Sequence, residues 1–298
     1  MVQSVLTNGT LQSRSAIEPR IRRTIKSFFF LMFLSIFAHP CDAQEEASDR
    51  ERYHQAVNYC RQATLLNLAT VKPGTMTLSP DKRIICFDGQ IIQSARISVI
   101  NDLAEGGLFV VRSGGGHTAT AIAIADLIRD RHATVVAYDL CASACAEFFL
   151  IASNETFVVK GTLVIWHNPS SLDPDHPLCS FLSTSNDGHS KKVRRGPCRA
   201  NGDDFLRYSP LLTRFFKDRT IGASFDTPPD SLYVRERVAG LYAETGVDRE
   251  IAWTLNPRYY SRLFKTKISY EAYPESQDEV DDLASRLGFR GVRVIYDP

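Results

Sequence analysis

The chain has 298 residues, of which 44% are hydrophobic and 23% are charged, and its formal net charge at neutral pH is +1. This composition is that of an ordinary globular protein of one or two domains, and it excludes a disordered or fibrous chain. Because neither sign of charge is in excess, the chain as a whole does not attract the phosphates of a nucleic acid, and we expect no nucleic-acid partner.

The N-terminal segment has the pattern of a secretion signal. Basic residues between Arg20 and Lys26 precede the apolar stretch 27–38, which is shorter than a membrane span. Small residues follow, so we expect cleavage near Ala43 and export to the periplasm or out of the cell, with no stable membrane span in the mature chain. The alternative is that the segment stays uncleaved as a membrane anchor. On this basis we assign residues 1–43 to a signal peptide.

The remainder predicts a lead-in and one large α/β domain. Residues 44–80 are polar and partly helical, and they end in Pro and Gly. From there to the C-terminus, residues 81–298 form the predicted domain, interrupted at 170–229 by a segment rich in Pro, Asp, Ser and Gly. We interpret that segment as an insertion with a disulfide, since it carries two cysteines.

Within this domain, short apolar runs alternate with helical patterns. We predict strands at 83–87, 108–113, 134–140, 156–160 and 163–167, helices at 95–105, 118–130, 143–153, 231–246 and 277–287, and a last strand after residue 290. Such alternation is typical of βαβ units with a largely parallel sheet covered on both faces.

Six of the seven cysteines lie beyond the signal segment, and an oxidising compartment would join this even number in pairs. Connectivity does not follow from sequence; proximity along the chain favours Cys60–Cys86, Cys141–Cys145 and Cys179–Cys198. No Cys-x-x-Cys pair occurs and the histidines are scattered, so we expect no metal site and no cofactor.

Two strand-to-helix turns and one strand end carry the residues that could do chemistry. Ser113 is followed by three glycines and then by a helix, which makes a cradle for an anion or oxyanion. Ser143 follows the strand at 134–140 and begins an apolar helix, where a nucleophile is favoured, and His167 ends the strand at 163–167, where it could act as a base. Each of the three taken alone favours a structural role; an N-cap serine is the structural reading of Ser143.

The combination resembles the Clp protease proteolytic subunit and its relatives in the ClpP/crotonase superfamily, especially exported ClpP-like proteins of bacteria. The resemblance covers residues 82–170, through RIICFDGQI, VVRSGGGHTATAIAIADLI, VVAYDLCASACAEFFLIAS and VIWHNP. It implies a βαβ superhelical core in which Ser143 is the nucleophile and His167 the general base. The backbone N–H groups of Gly115 and Ala144 would then form the oxyanion hole.

Departures from the family pattern affect the third catalytic residue. The family has an aspartate where this chain reads NPRYYSR, at 256–262, without a carboxylate. Asn256 could orient the imidazole instead, and Asp173, Asp175 and Asp248 are further candidates, so the third residue stays unassigned. The family's glycine turn also has a proline in place of Gly114 and a small residue in place of His117.

We therefore expect an exported serine hydrolase, a peptidase acting on peptides or proteins through Ser143 and His167 without a cofactor. The alternative is a non-catalytic ClpP-like module for binding or assembly, which the missing carboxylate favours. Acyl-CoA chemistry of the crotonase type is disfavoured, because export separates the chain from CoA. Self-association as a trimer or hexamer is implied by the resemblance alone.

Overall fold

A computed structural model describes residues 40–64, 73–167, 180–184, 190–194, 202–221, 229–245, 251–289 and 292–298. The chain divides into two compact units, 1–51 and 52–298, and the description below concerns the second. The apolar stretch 27–38 and the predicted Cys179–Cys198 pair lie outside the described residues. Within the described ranges, every helix is too short or too polar to cross a membrane.

The described elements alternate much as the sequence predicts. The α-helices are α1 Pro40–Ala63, α2 Thr118–Asp130, α3 Gly202–Arg219, α4 Leu232–Thr245, α5 Tyr260–Leu263 and α6 Gln277–Arg286. Short 3-10 helices span Ile97–Asp102 and Pro257–Tyr259, and a π-helix spans Cys145–Phe149. The strands are β1 Thr75–Leu78, β2 Ile84–Asp88, β3 Leu108–Ser113, β4 Thr134–Ala142, β5 Glu155–Val158, β6 Leu163–His167, β7 Ser180–Thr184, β8 Ser190–Arg194, β9 Ile251–Trp253, β10 Lys267–Tyr270 and β11 Arg293–Ile295.

The main sheet is mixed and mostly parallel, which confirms the predicted α/β class. Its strand order is β1-β2-β3-β4-β6-β9-β11, with antiparallel pairing between β1 and β2 and between β6 and β9. The sheet forks at β4, because residues 135–137 pair with β5 and residues 140–142 pair with β6. Strand β10 extends the β5 branch, while β7 and β8 form a separate hairpin. The fork allows one long strand to end beside β6, at the position of Ser143.

Both faces of the sheet are covered, as expected for strands without polar alternation. Strands β3 and β4 are almost entirely buried. Helix α2 and the π-helix pack on one face through small and aromatic side chains. The second half of α1 packs on the other face against β2, β3 and β4, and the Cys60–Cys86 disulfide joins it to β2.

Two segments pack more closely into the compact unit than their sequence suggests. In the predicted lead-in, Tyr53, Ala56, Val57 and Cys60 are buried, a spacing that gives one apolar helical face. In the predicted insertion, Phe215 of α3 joins the main core and lies 5.2 Å from Phe148, ring centre to ring centre. The core therefore includes parts of both segments.

Candidate active site

Ser143 occupies a sharp turn between β4 and the π-helix. Its φ is +56°, whereas Ala144 is already helical. The Ser143 N–H donates to the carbonyl of Ile165 in β6 over 3.0 Å, and the Ser143 carbonyl accepts from the Glu147 N–H over 2.9 Å. Positive φ is uncommon for a residue other than glycine, and such strain is concentrated at functional sites. Residue 143 as a whole is half-buried.

A disulfide closes this turn, with Ser143 at the centre of the ring. Cys141 and Cys145 are both buried and bonded, with their Cα atoms 5.2 Å apart, well within the usual range. Two predicted pairings are thus confirmed, Cys60–Cys86 and Cys141–Cys145. The second restrains the two ends of the Ser143 turn, the end of β4 and the start of the π-helix.

The glycine turn lies directly against the Ser143 turn. A Cβ atom placed on Gly115 would come within 2.5 Å of the Ser143 Cβ and 2.9 Å of the Ala144 nitrogen. The φ of Gly115 is +90°, which disfavours other residues even without this crowding. Two turns that lie far apart in the sequence therefore meet backbone to backbone, and only glycine fits at the junction.

Hydrogen bonds within the glycine turn decide which amides remain available. The Gly115 N–H, a predicted oxyanion donor, donates to Ser113 Oγ over 3.1 Å, and that hydroxyl donates to the carbonyl of Gly89 over 2.7 Å. By contrast, the N–H groups of Gly116 and Ala144 have no hydrogen-bond acceptor within the described ranges. A run of three glycines does not by itself indicate which of its amides stays unpaired.

His167 is the last residue of β6 and is half-buried. Strands β4 and β6 are parallel, with Ala142 opposite Ile165, so Ser143 and His167 both lie at the carboxyl ends of neighbouring strands. In the part of the chain that the structure describes, the Ser143 hydroxyl has no hydrogen-bond partner, and proton transfer between the two stays a prediction. The other nearby imidazole, His117, caps α2 by accepting from the Thr120 N–H over 3.3 Å.

Asn256, one candidate for orienting His167, has its side chain engaged elsewhere. Its Oδ1 accepts from the Arg258 N–H over 3.0 Å and caps a short 3-10 helix. Its own N–H donates to Asp297, a carboxylate that is fully buried. The other candidates, Asp173, Asp175 and Asp248, lie outside the described residues.

Glu147 is a second polar group on the Ser143 turn, and it is not among the residues predicted from the sequence. The side chain is half-buried, and burial raises the pKa of its carboxyl to about 8. The carboxyl has no hydrogen bond or ion pair to any described residue. A lone acidic residue inside the apolar run AEFFLIA, residues 146–152, is the sequence signal that could have found it.

A buried ion-pair network supports the strands that lead into the glycine turn. Arg112 of β3 is 5% exposed and donates to both carboxylate oxygens of Asp88, over 2.7 and 2.6 Å. Burial opposes the guanidinium's charge, but the hydrogen bonds to Asp88 prevail and raise the pKa of Arg112 above its ordinary value. Asp88 precedes Gly89, the residue that accepts from Ser113, so the network holds the ends of β2 and β3 in register.

A groove of about 690 Å³ lies at the opposite edge of the sheet, at the start of β2 and β3. Arg52 and Asp81 are among its lining residues, and it includes none of the groups around Ser143. Among the described His, Cys, Asp and Glu side chains, no three are grouped to hold a metal ion. The chemistry available at the Ser143 turn is therefore that of a hydroxyl, backbone amides, a carboxyl and the imidazole at the end of β6.

Comparison with protein-family models and with curated proteins finds no match to this chain.

Proposed function

We propose that this protein is an exported serine hydrolase of the ClpP/crotonase type, acting as a peptidase. The observation that supports this most strongly is the contact between the Gly115 turn and the strained Ser143 turn, where no described residue accepts from the Ala144 N–H. Unpaired amides close to the nucleophile are what stabilises a tetrahedral oxyanion. Export is supported by the two disulfides, which form in oxidising compartments.

In this mechanism the Ser143 oxygen attacks the substrate carbonyl while His167 takes the hydroxyl proton. The carbonyl oxygen becomes an oxyanion held by the Ala144 and Gly116 N–H groups. Collapse of the intermediate breaks the C–N bond, and His167 returns the proton to the leaving amine. Water, activated by His167, then hydrolyses the acyl-enzyme and regenerates the hydroxyl.

The test is labelling by a fluorophosphonate, which reacts with activated serines. We expect the oxidised full chain to be labelled, the Ser143→Ala variant not to be labelled, and the His167→Ala variant to be labelled at least 100-fold more slowly. Ser269→Ala is the matched control, because Ser269 is also half-buried but lies on β10. Equal labelling of wild type and Ser143→Ala would refute the catalytic assignment.

The second candidate is a non-catalytic ClpP-like module for binding or assembly. It is favoured by the engagement of the Asn256 side chain in a helix cap and by the absence of a described acceptor for the Ser143 hydroxyl. Under this proposal the protein assembles as a trimer or hexamer and fails to react with serine-directed probes. Sedimentation together with the labelling experiment separates the two candidates.

A further inference from the structure

The segment after Ser143 is buried along its whole length except at one residue. From Ala144 to Ser153 every side chain is buried apart from Glu147. Ser143 itself is half-buried, so the two residues of this stretch that reach solvent are the serine and the glutamate. Their spacing of four residues and the bond from the Glu147 N–H to the Ser143 carbonyl place them on the same turn of chain.

An ionised carboxyl in this position destabilises the fold unless it has a partner. Transfer of a charged group out of water is unfavourable unless an opposite charge or several hydrogen bonds compensate. Desolvation is the sole cause of the raised pKa of Glu147, so no described cation compensates its charge. Arg219 on helix α3 is also a buried ionisable side chain, but its charge is compensated, because it donates to Asp126 over 2.8 Å.

A cationic ligand would supply the missing compensation. An ammonium or guanidinium group within contact distance favours the ionised carboxyl and forms a charge-assisted hydrogen bond with it. A neutral ligand of the same shape leaves the carboxyl protonated and gains no such bond. The desolvated carboxyl of Glu147 should therefore favour the cationic ligand over the neutral one.

We propose that Glu147 selects substrates that carry an ammonium or guanidinium group next to the carbonyl that Ser143 attacks. The assignment of the carbonyl rests on the proposed hydrolase function, whereas recognition of the cation does not require turnover. Glu147 thereby acts as the specificity-determining residue of this turn.

Binding to a variant that lacks the nucleophile tests the cation site separately from catalysis. The full chain with Ser143→Ala and intact disulfides is titrated with benzamidine, which is cationic, and with benzamide, its neutral counterpart. We expect benzamidine to bind about tenfold more tightly than benzamide or better, because only the cation can pair with the Glu147 carboxylate. Adding Glu147→Gln should bring the ratio to about one, whereas adding Glu236→Gln, on the exposed surface of α4, should leave it unchanged.

Equal binding of the two ligands, absence of binding by both, or a ratio that survives Glu147→Gln would overturn the proposal. None of these outcomes depends on fluorophosphonate labelling, which tests Ser143. If the wild type cleaves peptides, a substrate with arginine before the scissile bond should be preferred over its citrulline analogue, and Glu147→Gln should abolish that preference. A preference that persists in this variant would also overturn the proposal.

Discussion

Replacing Glu147 by glutamine should stabilise the fold at alkaline pH and change its stability little at pH 4. The pKa of this carboxyl rises from 4.5 to about 8 on folding, because burial disfavours its charged form. At 1.36 kcal/mol for each pH unit, the difference corresponds to about 5 kcal/mol in the free energy of unfolding. This value is an upper bound, because solvent reaches part of the side chain.

The sign follows from proton binding in the two states. Between pH 4.5 and about 8 the folded protein retains a proton on Glu147 that the unfolded chain releases. The stability associated with that proton is fully present below pH 4.5 and is lost as the pH rises through 8. Glutamine does not ionise, so the variant should not lose stability in this window.

Urea unfolding at several pH values between 4 and 9, with disulfides intact, measures the effect. The difference in unfolding free energy between Glu147→Gln and wild type should grow with pH and exceed about 2 kcal/mol at pH 9. The exposed Glu236→Gln serves as the matched control and should follow the wild type throughout. Parallel pH profiles for Glu147→Gln and wild type would show that the carboxyl is not desolvated in the folded state.

Two further predictions concern the support of the site. Gly115→Ala should lower the free energy of unfolding by about 3 kcal/mol or more and abolish fluorophosphonate labelling, because the new Cβ would lie 2.5 Å from the Cβ of Ser143. Gly161 has a similar φ but open space around it, so Gly161→Ala should lower the free energy of unfolding by only about 1 kcal/mol and leave labelling intact. Equal effects of the two substitutions on labelling would contradict this reasoning. Arg112→Met should lower the free energy of unfolding by about 3–5 kcal/mol in thermal unfolding, since it leaves the Asp88 carboxylate, whose side chain is only 11% exposed, without its cation. Arg235→Met, whose ion pair is exposed, should lower it by less than about 1 kcal/mol, and similar losses for the two variants would refute the buried network.

Much of the fold was predictable because its signals are local. The strands at 108–113 and 163–167 and the helix at 118–130 have the predicted bounds, since each is an apolar or periodic run between breakers. The disulfide between Cys141 and Cys145 was predictable for the same reason, as its partners are close in sequence. The helix predicted at 143–153 is instead a short π-helix, because the chain must turn at once to begin β5.

The sequence by itself determined the order of strands and helices between residues 83 and 167, two disulfides between cysteines close in sequence and the positions of Ser143 and His167 at strand ends. Tertiary structure alone decided that Gly115 lies against Ser143, which described amides remain unpaired, and that no described cation compensates Glu147. The reason is physical: periodicity and turn propensity depend on near neighbours in the chain, whereas hydrogen-bond partners and desolvation depend on segments brought together only when the sheet assembles.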